Sequence, residues 1–249
     1  MNQNKLLSGM LDIGEEMLRC GAEISRVEDT VERIGLAYGL ERVDVFTITS
    51  SIVVTARLNA EETLTQTRRI RTRAVDLERL NRLNALSRDI CRTKPDAETM
   101  KAQLQAILVK RAYPAWLLYA ASALIAGAFT AFFGGSLRDA LVSAVIGVLL
   151  KKLMMLSIRF RLNSVVSNVL LSFAGGAAAL LALRLGICDS YAKTVIGDIM
   201  LLIPGITLTD ALRDMFYGDL ISSIQRLCEA LLFSSAIAFG FVLARRVIG

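Results

Sequence analysis

Histidine is absent from all 249 residues. Its absence removes His-dependent catalytic triads, histidine zinc sites and histidine proton relays in one step. Proline is scarce, at three residues, while 54% of the chain is hydrophobic, a composition too apolar for a disordered or fibrous chain. The four cysteines, Cys20, Cys91, Cys188 and Cys228, lie far apart with no C-x-x-C, so neither a zinc site nor a redox motif is indicated. No disulfide framework is implied, which fits a reduced cytoplasm for the soluble part. The N-terminus lacks a short apolar core with a small-residue cleavage site, so no removable signal peptide is expected. There is no G-x-x-x-x-G-K-[ST] loop, no nucleic-acid module signature and no G-x-S-x-G elbow. Neither a cofactor nor a metal is expected.

Charge is scarce only in one part of the chain. The first 114 residues carry 34 charged side chains and the last 135 carry 18. Within the second part, Ala115–Phe133 runs for 19 residues without a charge. A helix crossing ~30 Å of hydrocarbon needs ~20 such residues. The run is entered through Lys110-Arg111 and the interfacial aromatics Tyr113, Trp116 and Tyr119. The expected fold is therefore an α-helical polytopic membrane protein of about five transmembrane helices, with an N-terminal α+β cytoplasmic domain. The boundary falls between residues 1–112 and 113–249. The net charge of +6 is not a nucleic-acid signal. The soluble part has 18 basic and 16 acidic residues, the membrane part 11 and 7, so much of the excess sits beside spans.

In the soluble part, residues 5–38 read as one long amphipathic helix. Leu7, Met10, Ile13, Met17, Ile24, Val27, Val31 and Ile34 recur at three- and four-residue spacing, and Gly39 supplies a stop. Val43–Thr49 and Ile52–Leu58 are rich in β-branched residues and suggest a hairpin through Ser50-Ser51. A third strand over Thr65–Arg71 follows the polar turn Asn59–Glu62. Helices are expected over Ala74–Arg92, with Leu77, Leu80, Leu83, Leu86 and Ile90 inward, and over Pro95–Leu108. On the first helix, Arg19, Glu23 and Arg26 stand at i, i+4 and i+7, continued by Asp29 and Arg33. Such a row is either a solvated ladder worth a few tenths of a kcal/mol per pair or a docking and gating surface.

Five spans fit the membrane part: 115–133, 137–157, 165–183, 191–207 and 225–244. Lys110 and Arg111, then Lys151, Lys152, Arg159 and Arg161, place the N-terminal domain in the cytoplasm. Five crossings put Arg245-Arg246 on the opposite side, against that rule. Ser143/Gly147, Ser172/Gly176 and Ala236/Gly240 have small-xxx-small spacing, which suits close helix packing.

The fourth span is unlike the others. Asp198 lies in an apolar segment, where an ionised carboxylate costs roughly 2.5–3.5 kcal/mol on insertion scales. Pro204-Gly205 then interrupts the helix, and Thr207-x-x-Asp210 has capping-box-like spacing. Leu208, Ala211, Leu212, Met215 and Phe216 mark one apolar face of a new short helix, with Arg213, Asp214 and Tyr217 off it. A broken helix in a bilayer is tolerated where it is buried in protein or lines a watery cavity. Asp198, Pro204, Gly205, Thr207, Thr209, Asp210, Arg213 and Asp214 are therefore candidates for a solute pathway. Asp198 sits ~9 Å along a straight helix from the break, so it is cast as a proton carrier or pathway charge. A proline kink with Asp198 paired to a neighbour is the plainer reading. Arg226 and Glu229, at i, i+3, are expected to neutralise each other.

Two segments resemble a known family. Arg19-x-Gly21-Ala22-Glu23-x-x-Arg26-Val27-Glu28-Asp29-Thr30 resembles the N-terminal motif of the threonine/serine exporter family. Ile203-Pro204-Gly205-Ile206-x-Leu208-Thr209-x-Ala211-x-Arg213-Asp214, then Gly218-Asp219, resembles its membrane motif. The resemblance implies a bacterial inner-membrane exporter of small hydrophilic metabolites, driven by the proton-motive force. Substrates in the family include threonine, serine and dicarboxylates such as succinate. The layout resembles the larger subunit of the two-polypeptide form, implying a second small multi-span membrane subunit as partner. Homo-oligomerisation stays open. Arg19, Glu23, Arg26, Glu28 and Asp29 would serve gating or assembly in the cytoplasm. Two other classes remain: a membrane-tethered hydrolase working through Glu23 or Glu28, and a scaffold that recruits partners without transporting.

Overall fold

A computed structural model describes residues 3–57, 62–109 and 113–249. The basic pair Lys110-Arg111, the expected end of the second strand at Leu58 and most of the Asn59–Glu62 turn lie outside the described residues. The chain forms two compact units. One comprises Met1–Arg111 with Thr209–Arg226, and the other Ala112–Leu208 with Leu227–Gly249.

The first unit begins with α1 (Gln3–Arg19) and α2 (Ile24–Ala37), so the single helix expected over 5–38 is in fact two. Gly21 adopts φ +89°, a left-handed conformation that ends α1. Ala22 N–H closes back on the Met17 carbonyl at 3.0 Å, and Gly21 N–H on Leu18 at 3.1 Å. Periodicity hides this break because both helices bury their apolar stripes in one core, from Leu7, Met10 and Met17 to Val27, Val31 and Ile34. Arg19, Glu23 and Arg26 consequently do not form a continuous helical row. Arg19 instead pairs backwards with Glu15 at 2.6 Å and Glu16 at 2.9 Å.

A three-stranded antiparallel meander follows: β1 (Arg42–Ile48), β2 (Ser51–Arg57) and β3 (Thr63–Arg69), in that order. Val45 faces Val54 across the first pair, and Ala56 faces Leu64 across the second. Ile52, Val54 and Ala56 alternate inward, as period two requires. Gly35 lets α2 approach α1 and β1, since a methyl there would lie 2.6 Å from Val43 and 2.9 Å from Met10. Arg68 on β3 reaches Asp12 at 3.0 and 3.1 Å and Ser8 at 2.8 Å, tying β3 to α1.

Helices α3 (Leu77–Thr93) and α4 (Ala97–Leu108) start at Asp76 and Asp96, each of which caps a backbone N–H three residues on. Leu83, Leu86 and Ile90 face the core as expected, but Leu77, the first residue of α3, is exposed. Cys20 is buried here, and desolvation pushes its thiol up to about 11. The described cysteines are all free.

The second unit holds α5 (Ala115–Phe132), α6 (Leu137–Arg159), α7 (Ser164–Arg184) and α8 (Tyr191–Ile199). Two further helices, α9 (Gly205–Phe216) and α10 (Leu220–Ile248), have residues in both units. Among the described residues, four helices are long and apolar enough to cross a bilayer: α5, α6, α7 and α10. The expected fourth span over 191–207 is not a crossing helix. It ends after nine residues at Ile199, and a turn closed by Leu202 N–H on the Ile199 carbonyl leads to Pro204. Proline offers no amide to continue the ladder, so α9 starts afresh at Gly205. Exposed Leu124, Val145 and Leu231 on the long helices find no cover within the chain, as lipid-facing residues should.

Candidate functional site

In the second unit, the entry to α8 is fixed from a distance by α6. Ser136 and Asp139 form a capping box at the start of α6. The buried Asp139 carboxylate also accepts the amides of Asp189 and Ser190, at 2.7 and 2.9 Å, just before α8. Farther along α8, Gly197 permits close contact with α5 and α6. A methyl there would collide with Thr130 Oγ1 and lie 2.8 Å from Ser143 Oγ.

Asp198 is wholly buried beside this contact. Its Oδ1 accepts the Ser143 hydroxyl at 2.9 Å, whereas its Oδ2 has no hydrogen-bond partner among the described residues. Thr130 Oγ1 is buried and unpartnered as well. An orphaned carboxylate oxygen without a cation is costly in a dry interior. The arrangement suits an acid that exchanges a proton. The turn with Pro204, the helix start at Gly205 and Thr207 belong to this same unit.

Asp210, Arg213 and Asp214 belong to the first unit, where the end of α9 and the start of α10 join the N-terminal region. Their centre is Arg226, whose side chain is only 5% exposed. Its Nη1 donates to Asp210 Oδ2 at 2.8 Å and its Nη2 to the Ala22 carbonyl at 3.2 Å. Its Nε lies 3.0 Å from Asp214 Oδ2, an ion contact without hydrogen-bond geometry. Arg213 pairs with Glu23, Gln225 with Thr49, and the Ser223 hydroxyl donates to the Ala211 carbonyl at 2.7 Å. The two motifs thus meet directly through Glu23 and Arg213, and indirectly through Arg226, which bonds the Ala22 carbonyl and contacts Asp214. Burial pushes the Asp210 and Asp214 carboxyls up, and Arg226 opposes that shift.

The buried face of α9 is acidic: Asp210, Ala211 and Asp214 point inward, while Leu208, Leu212, Met215 and Phe216 are exposed. The expected apolar face therefore turns outward, because Arg226 draws the carboxylates in. Thr209 is also exposed.

The N-terminal motif residues divide among several tasks. Arg26 lies 3.8 Å from Glu23. Asp29 accepts Arg33 Nε through its backbone carbonyl at 3.2 Å. Glu28 accepts the Thr47 amide of the edge strand β1 at 2.7 Å. Burial raises the Glu28 carboxyl, and a group raised on folding contributes most when protonated and loses that contribution as pH rises through its folded value. Glu28→Gln, which imitates the protonated form, is expected to unfold no lower than the native chain at pH 7.5. Glu28→Ala should lose about 1–3 kcal/mol by orphaning the amide. Denaturant melts of the full chain in detergent measure both.

Asp139, Ser143 and Thr130 were not among the candidates. The Ser136-x-x-Asp139 spacing was a readable signal for the first, and the Ser143/Gly147 pair a partial one for the second. The i, i+3 spacing pointed Arg226 at Glu229, but its guanidinium is engaged by Asp210, 16 residues away, and Asp214, a pairing no local spacing signals.

Four bilayer-length helices with uncovered apolar faces, around a short helix that stops beside a buried acid, are the make-up of a polytopic helical membrane protein. Residues 8–248 match the family described as "Putative threonine/serine exporter", and the chain belongs to this threonine/serine exporter family. It is a family of transporters and not of enzymes, which sets the tethered hydrolase aside. The chain is 25% identical over 99% of its length to the "Probable threonine/serine exporter" of Mycobacterium tuberculosis, and spans about half (47%) of that protein. It is 24% identical to the "Probable succinate transporter subunit YjjP" of Klebsiella aerogenes over 94% of this chain and 90% of that one. The protein of the same description from Escherichia coli is 24% identical over 96% and 93% of the two chains. No solved structure matches the chain.

Proposed function

We propose that the protein is the larger subunit of a bacterial inner-membrane exporter for small hydrophilic metabolites, either threonine- or serine-like amino acids or small dicarboxylates. The proton-motive force drives it, and a second small multi-span membrane subunit completes it. The observation that carries this reading is the break after α8, where a helix that stops at Ile199, before Pro204, holds a buried carboxylate with one oxygen unpartnered among the described residues. Asp198 acts as the proton carrier. Pro204, Gly205, Thr207 and Thr209 line the solute route, and Asp210, Arg213 and Asp214 hold the following helix. Glu23 and Arg26 act in gating and assembly, with Arg19, Glu28 and Asp29 shaping the surface that bears them.

The domain of residues 1–112 faces the cytoplasm, with 113–249 in the membrane. Four crossings support that orientation better than five, because Arg245 and Arg246 then fall on the same side as the basic N-terminal flank. Two relatives carry the word subunit in their names, which supports a partner. Cells loaded with labelled serine or succinate test the proposal. Efflux should rise above the empty-vector level when this chain is expressed with its partner. Efflux at the vector level in both conditions, with the two proteins still co-purifying, would favour a non-transporting scaffold.

A further inference from the structure

We propose that a groove between α2 and α3 binds a soluble organic anion that carries an apolar body, as an effector distinct from the transported solute. The groove has two adjoining hollows in the first unit. A cavity of about 460 Å³ is lined by Arg26, Asp29, Glu32, Arg33, Asn84 and Arg88, among others. A second of about 360 Å³ shares Arg33 and Arg88 but is otherwise walled by Leu36, Ala37, Ser87, Cys91 and Thr30. Both are of metabolite size, since small-molecule pockets run to ~300–1,000 Å³.

The chemistry is uncommitted where a solvated face would be paired. Among the described residues, Arg88, Glu32, Asn81 and Asn84 have no side-chain hydrogen bond or ion pair. Arg33 commits only its Nε, to the Asp29 carbonyl. Arg33 and Arg88 are the guanidiniums open to an anion, Arg26 lying 3.8 Å from Glu23, and their planar forks suit carboxylate or phosphate oxygens. In the second hollow Thr30 is 1% exposed and its hydroxyl has no partner among the described residues, so a polar atom of a ligand would satisfy it. Leu36, 48% exposed, supplies the apolar wall. Arg33 and Arg88 stand where the hollows join, so the anionic group sits there and the apolar body extends along Leu36 and Ala37.

Isothermal titration of the detergent-solubilised full chain with phenyl phosphate tests this, with inorganic phosphate and phenol as the half-ligands. Phenyl phosphate should bind saturably, and each half-ligand at least about tenfold more weakly. Arg88→Ala and Arg33→Ala, both at exposed positions whose melting points should not move, should each weaken binding about tenfold, the loss of a charge-assisted bond. Micelles doped with phosphatidylglycerol should not displace the probe. No saturable binding at millimolar phenyl phosphate, equal affinity for inorganic phosphate, indifference to both arginine variants, or displacement by the lipid would each overturn the proposal. Because the readout is binding and not flux, failure of the exporter reading would leave this result intact.

Discussion

Arg226→Ala is expected to be the most damaging single substitution outside the hydrophobic core. It removes the guanidinium shared by Asp210 and Asp214 and the donor to the Ala22 carbonyl. Deleting one partner of a buried pair typically costs about 3–5 kcal/mol, because the charges left behind stay desolvated. Arg226→Lys should recover part of the loss, since an ammonium keeps the charge but cannot fork between two carboxylates and a carbonyl. The triple change Arg226→Gln, Asp210→Asn and Asp214→Asn should recover more, because it removes the stranded charges. The penalty is also pH-dependent. Without Arg226 both carboxyls rise further from already raised values, so they protonate first as pH falls. Unfolding in detergent should therefore show the largest gap from the native chain at pH 7.5 and a smaller one at pH 5. A loss under about 1 kcal/mol at both pH values would mean that the ion cluster is worth no more than a surface pair.

Asp198→Asn should have the second large effect, on flux and not on folding. Asparagine keeps an acceptor for the Ser143 hydroxyl and nearly the same volume, so melting should move little. It cannot carry a proton. Efflux through the assembled exporter should fall at least about tenfold, corresponding to about 1.4 kcal/mol, and what remains should lose its dependence on external pH. Unchanged flux with an unchanged pH profile would leave Asp198 as a packing residue. Ser143→Ala separates the two roles further. It leaves both oxygens of Asp198 without a partner among the described residues, so it should alter the pH profile while flux persists.

Relatives of such different printed names, a "Probable threonine/serine exporter" and a "Probable succinate transporter subunit YjjP", are each about a quarter identical to this chain over the matched residues. What the two motifs do together is structural before it is substrate-specific. Glu23 and Ala22 sit on the turn created by Gly21, and that turn meets Arg213 and Arg226.

Composition and local pattern determined a good deal by themselves. Apolar stretches of bilayer length marked α5, α6, α7 and α10, β-branched alternation marked the meander, and Pro204 marked the place where α8 and α9 part. These are signals carried within a few turns of chain, where hydropathy and backbone donors act directly. Tertiary structure alone decided the rest. It split the first helix at Gly21, whose left-handed conformation leaves no trace in a continuous apolar stripe. It turned the acidic side of α9 inward, because a buried guanidinium 16 residues away outweighs the hydrophobic preference of an exposed face that lipid or a partner can cover. It left one oxygen of Asp198 unpaired, which depends on where three different helices place their side chains, and no spacing along the chain encodes such a distance.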